Sequence, residues 1–212
     1  MTTRQTAQIS SRKHPKQARS TELVATILEA AIQVLGNEGA ARFTTARVAE
    51  KAGVSVGSVY QYFPNKAAIL FRLQSDEWQE TTRMLREILD NVTQPPLERL
   101  RALVHGFVLS ECEEAVVRVA LNDAAPLYRD APEAHEARNG GEKVFQTFML
   151  EVLPSVPLDI RSVAYDLIST TLSAVGKDFS TSPHSTEEIT AYADAMSDMF
   201  GAYIERLNQQ YA

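Results

Sequence analysis

Residues 53–66 read GVSVGSVYQYFPNK, a stretch of small, neutral side chains interrupted by hydroxyls, one amide and a single lysine. Ser58 and Gln61 can donate to or accept from base edges, and the Val56 methyls suit a thymine methyl. Gly57, lacking a Cβ, lets a backbone come close to a groove. The hydroxyls of Tyr60, Tyr62 and Thr45, with the Lys66 ammonium, supply donors for phosphate oxygens, contacts that set register but carry no sequence information. The amide groups at the starts of the helices opening near Val56 and Lys66 add two further anion sites.

Other chemistry finds little support. Cys112 is the only cysteine, so no intrachain disulfide and no thiolate metal cluster is expected. His105 lies seven residues from Cys112, but no second histidine or cysteine is near enough in sequence to complete a metal site. Asp123, Asp130, Glu133, His135 and Glu136 fall in NDAAPLYRDAPEAHE, which reads as a solvated loop and helix start rather than a catalytic cluster. No serine, cysteine or carboxylate pair has the context of a nucleophile. No catalytic residue, metal or cofactor is therefore assigned.

The elements that must position the groove-facing residues are helical. Leu23, Ile27, Ala30, Ala31 and Val34 step by three or four from a cap at Ser20 or Thr21, and GNEG at 36–39 ends this first helix with Gly39 at the left-handed position. Two short helices follow. One runs from about Thr45 to Ala52 and is capped by Thr44 or Thr45; the other runs from Val56 to Phe63 and is capped by Ser55. Pro64 stops the latter. Ala49 and Gly53 have the spacing of a helix-turn-helix. Val48, Ala52, Val54, Val59 and Phe63, with Val56, are expected to face inward. A long helix from Lys66 to Val92 crosses from this head into the rest of the chain, with Phe71, Trp78, Leu85 and Leu89 on its buried side. Further helices are expected at 97–109, 113–125, 132–153, 158–175 and 187–207, with a kink at Gly140-Gly141. The architecture is all-α, about nine helices: a flexible basic arm (1–18), a helix-turn-helix domain (19–66) and a helical body (67–212).

Charge divides along the same line. Hydrophobic residues at 44% suffice for a core, and no stretch approaches the ~18 apolar residues of a membrane helix. The opening MTTRQTAQIS lacks the apolar core of a secretory signal, so a cytoplasmic location is expected. The net charge is −6, yet residues 1–66 hold nine basic side chains against four acidic ones. A basic head on an acidic body suits a polyanion that meets the head alone. A basic tail with no partner is the alternative for the first residues.

The run ILEAAIQVLGNEGAARFTTARVAEKAGVSVGSVYQYFPNKAAIL resembles the DNA-binding domain of the tetracycline-repressor (TetR) family of bacterial transcription regulators. The likeness is continuous from about Arg19 to Leu70, and RKHPKQARS ahead of it is similar to the basic arm of many members. Gly36 departs from the pattern, standing where a better helix former is usual. Ala67 and Ala68 also depart from it, standing where an acidic residue is common. The resemblance implies that Ser55, Val56, Gly57, Ser58 and Gln61 face the bases. It places Thr45, Tyr60, Tyr62 and Lys66 on phosphates and Arg47 near the backbone, with Arg12, Lys13 and Arg19 in the arm. It also implies a homodimer on a palindromic double-stranded operator, joined through the last two helices. Ile168, Leu172, Val175, Met196, Phe200 and Tyr203 are the candidate interface residues. An unidentified small-molecule effector is implied in the body, with Trp78, Phe107, Asn122, Tyr128 and Phe148 as candidate lining residues. The function expected is a sequence-specific repressor released by that effector. An activator, or a helical enzyme or ligand carrier that retains the head as packing, is the competing reading.

Overall fold

A computed structural model of the chain describes residues 8–10 and 18–212. Among these the elements are α1 (Ala18–Arg42), α2 (Thr45–Lys51), α3 (Val56–Tyr62), α4 (Lys66–Leu89), α5 (Pro96–Glu113), α6 (Ala115–Ala124), α7 (Pro132–Val152), α8 (Leu158–Phe179) and α9 (Thr186–Gln210), with a 3₁₀ turn at Ala125–Leu127. The contacts divide into two compact units, Met1–Trp78 with Val116–Arg138, and Gln79–Ala115 with Asn139–Ala212. The division thus falls within α4, and α6 joins the head.

The first unit is built around Ile27, Ala31 and Leu35 of α1, which meet Val48 and Ala49 of α2, Val59 of α3, and Ile69 and Leu70 of α4. All of these are essentially excluded from solvent. Leu121, Ala124 and Tyr128 complete the same cluster. The Tyr128 hydroxyl, buried with its ring, donates to the Leu121 carbonyl at 3.0 Å, as a buried polar group must. Gly39 takes a positive φ of 73° as expected for a helix stop, but the chain regains a helical turn and runs on to Arg42. Ile9 was expected in a flexible arm; it is buried in this core at 2% exposure. Its neighbours fix it there, since the Gln8 carbonyl accepts from Asn65 Nδ2 and Ser10 Oγ donates to Glu133, both at 2.9 Å.

In the second unit, Leu100, Leu103, Val104 and Val108 of α5 pack with Phe148 and Met149 of α7, Ala164 and Ile168 of α8, and Ala193, Phe200 and Ile204 of α9. Arg99 is the exception in this apolar cluster, a buried cation at 1% exposure. It is compensated by Glu151, by the Leu89 carbonyl and by the Phe148 ring, whose centroid lies 5.5 Å away. Helix α4 stops at Leu89 rather than Val92, because Thr93 Oγ1 bonds Asn91 Oδ1 in a local turn and Val92, 76% exposed, has nothing to pack against. Nor do the glycines of α7 break the helix, which runs unbroken from Pro132 to Val152. A Cβ at Gly141 would lie 3.2 Å from Leu85, and one at Gly140 3.5 Å from Thr82, so the pair lets α7 cross closely over α4. Between α8 and α9 the rings of Tyr192, Phe179 and His184 stack at 4.0 and 3.8 Å. Ser185 and Glu188 then form a reciprocal cap that starts α9.

Candidate nucleic-acid interface

The pairing of α2 and α3 follows from local chemistry. Thr44 caps α2, its hydroxyl accepting from the Arg47 amide at 3.2 Å. At the other end the Val54 amide reaches back to the Ala49 carbonyl and the Gly53 amide to that of Glu50, at 3.0 and 3.1 Å. This double closure requires a left-handed residue, and Gly53 supplies it with φ 66°. Ser55 then caps α3, accepting from the Ser58 amide at 3.0 Å. Phe63 in extended conformation and Pro64 end it.

With Val59 and Phe63 fixed in the core, the opposite side of α3 is turned outward. Val56 lies on that side, 40% exposed, which corrects the expectation that it packs inward and leaves its methyls available. Gly57 and Gln61 are exposed beside it, and Ser55 is exposed at the cap. A Cβ at Gly57 would meet only Ser55 Oγ, at the ordinary distance of 3.6 Å, and no positive φ is needed there. The Ser58 hydroxyl is half-buried and 2.9 Å from that of Ser55, so the two form a joined pair rather than separate donors.

The residues expected on phosphate are disposed unequally. Thr45 Oγ1 and Tyr60 Oη lie 3.1 Å apart, clasping the start of α2 to the middle of α3. Tyr62 is half-buried against the core, and Lys66, half-buried, begins α4. Arg47 is engaged by Glu38 of α1. Arg19 is exposed, while Arg12 and Lys13 lie outside the described residues. Neither the Thr45–Tyr60 clasp nor the Arg47–Glu38 pair had a signal in the sequence, since both join residues from different helices.

The candidate effector residues do not gather within either unit. Trp78, Asn122 and Tyr128 belong to the first, and Phe107 and Phe148 to the second. Asn122 is exposed, whereas Tyr128 and Phe148 are core residues. Phe107 packs along α8, 3.3 Å from where a Gly176 Cβ would lie. The candidate interface residues need correction too. Ile168, Leu172, Met196 and Phe200 are all under 7% exposed within the chain, and Val175 and Tyr203 pack against the same core. The large apolar side chains that α8 and α9 leave uncovered are instead Leu158, Val163, Leu167 and Met199, at 74, 58, 51 and 52% exposure. Among the described residues, no group of three or more metal-ligating side chains gathers, and no helix is long and apolar enough to cross a membrane.

Three helices with a capped helix-turn-helix, followed by a larger helical unit, define a class of bacterial DNA-binding regulator. Residues 27–73 match the bacterial regulatory proteins of the tetR family, and residues 95–207 match the tetracyclin repressor-like C-terminal domain. The second match spans more than half of the chain, which belongs to the TetR family of transcription regulators. Among curated relatives, the nucleoid occlusion factor SlmA of Vibrio campbellii is 35% identical over 95 residues, 44% of this chain and 48% of the relative. That of Aliivibrio fischeri is 52% identical over 86 residues, 38% and 43% of the two chains. The chain spans about half the length of the curated relatives it matches. Solved structures share the fold over nearly the whole chain. The fatty acid degradation regulator FadR from Bacillus halodurans has a TM-score of 0.69 at 19% identity, covering 88% of this chain and 96% of its own. NalD, the secondary repressor of the MexAB-OprM multidrug efflux pump in Pseudomonas aeruginosa, has a TM-score of 0.63 at 18% identity, covering 88% and 97%.

Proposed function

We propose that the chain is a sequence-specific transcription regulator, a repressor that leaves its operator when a small molecule binds its body. The observation that carries this reading is the outward face of α3. Val56, Gly57 and Gln61 are exposed there, and the fold places no demand on Gly57, whose Cβ would meet only a neighbouring hydroxyl. A glycine inside a helix costs about 1 kcal/mol relative to alanine, so its presence at 57 suits close approach by an external backbone or groove wall. Ser55, Val56, Gly57, Ser58 and Gln61 are assigned to the bases. Thr45, Arg47, Tyr60, Tyr62 and Lys66 are assigned to phosphates, with Arg12, Lys13 and Arg19 supporting from the arm.

The uncovered Val163, Leu167 and Met199 support a homodimer through α8 and α9. Two recognition helices would then address half-sites one DNA turn apart, ~34–36 Å. An effector acts by binding the DNA-incompetent arrangement more tightly, with a coupling of typically ~1–3 kcal/mol. The site of action is the cytoplasm.

Selection of bound duplexes from a random library tests the reading. An inverted repeat is expected, and recovery of no enriched motif rejects sequence reading. The 52% identity to the nucleoid occlusion factor of Aliivibrio fischeri favours a second reading, a role in nucleoid occlusion. A deletion strain with unaltered nucleoid occlusion counts against it.

A further inference from the structure

We infer that Glu38 is a brake on backbone binding, acting through Arg47; this rests on the DNA-binding reading above. Arg47 sits in the first turn of α2, beside the Thr44 cap, and is assigned to a phosphate in the proposed function. Its guanidinium is nevertheless held by the Glu38 carboxylate, with the two side chains 39% and 28% exposed. Glu38 directly precedes Gly39, whose φ of 73° interrupts α1, so the carboxylate is presented at the bend where α1 turns towards α2.

A phosphate that takes Arg47 must displace this carboxylate and leave it, unpaired and negative, close to a polyanion. Both charges are only partly exposed, so salt screens the repulsion incompletely. The contact therefore contributes less than a free arginine would, and it lowers affinity for every duplex because it touches no base. Glu38 is thus a positioning residue that restrains the sequence-independent part of binding, the part that otherwise traps a regulator on unrelated DNA.

The test is fluorescence anisotropy with one fixed random-sequence duplex of about 30 base pairs, enough for two half-sites. Wild type, Glu38→Gln, Glu38→Ala, Arg47→Gln and the Glu38→Gln/Arg47→Gln double variant are titrated between about 50 and 200 mM salt. Thermal melts confirm that each is folded; Glu38→Gln keeps the side-chain shape, and Glu38→Ala must agree with it. Both Glu38 variants should bind about three- to tenfold more tightly at about 0.1 M salt, with a salt slope steeper by about one, the signature of one recovered phosphate contact. The gain should vanish when Arg47 is already glutamine.

Unchanged or weaker binding by the Glu38 variants overturns the inference. So does an equal gain in the Arg47→Gln background, which would make Glu38 an ordinary charge in the general field. Failure of wild type and every variant to bind this duplex even at about 50 mM salt overturns the DNA-binding reading itself, since sequence-independent binding is due on any duplex, and this inference with it.

Discussion

Gln61, Gly57 and Lys66 lie within ten residues of one another, and the proposed function gives each a different role on DNA. If Lys66 meets a phosphate as proposed, Lys66→Gln should weaken binding to all duplexes alike and flatten the salt dependence by about one unit. Gln61→Ala should leave that slope alone and relax preference at one position by about 1–3 kcal/mol, read as a change in the selected motif. Gly57→Ala separates fold from function most cleanly. A Cβ there meets only Ser55 Oγ at 3.6 Å, so the melting temperature should hold or rise while operator affinity falls. A further prediction at this scale concerns Arg99 and Glu151. Glu151→Ala strands a buried cation and should cost about 3 kcal/mol or more in urea unfolding. Arg99→Met removes the charge and keeps the volume, leaving a carboxylate that is already 45% exposed, and should cost less.

Among the helices, the glycines illustrate how one residue type takes opposite roles. Gly36 sits inside α1, where an added Cβ would meet Val116 at 3.8 Å, ordinary contact, so Gly36→Ala should stabilise the head by about 0.5–1 kcal/mol. Gly53→Ala should destabilise it by a comparable amount or more, because φ 66° is strained for any side chain; thermal melts of the two variants should move in opposite directions. Residue spacing alone anticipated Gly53, because a helix-turn-helix needs a left-handed residue at that point. The cap at Ser55 and the stop at Pro64 were equally legible, being written within a few residues of their effects. Gly140-Gly141 was misread as a kink, since sequence shows a weak spot in a helix but not the Leu85 side chain that occupies the space. The Thr45–Tyr60 clasp, the Glu38–Arg47 pair and the burial of Ile9 stayed hidden for the same reason: each depends on chains brought together from a distance.

For the whole molecule, periodicity identified the apolar faces of α8 and α9 but not what they face. Ile168, Leu172, Met196 and Phe200 turned out to be core of the chain, with Leu167 and Met199 outside. The two sets should therefore respond differently. Leu167→Glu or Met199→Glu should give a folded monomer by sedimentation, with weakened operator binding because the paired half-sites are no longer addressed together. Ile168→Ala should instead lower stability by about 2–5 kcal/mol whatever the association state. Monomeric wild type at micromolar concentration would rule out the proposed assembly.

The docking of Gln8, Ile9 and Ser10 has a practical bearing on how this protein is trimmed or tagged. A shortened version starting at α1 would open a hole the size of an isoleucine side chain in the head and strip partners from Asn65 and Glu133. Part of any lost operator affinity would then belong to a loosened scaffold rather than to missing arginines and lysines. Swapping those charges one at a time, in the intact polypeptide, keeps the two effects apart.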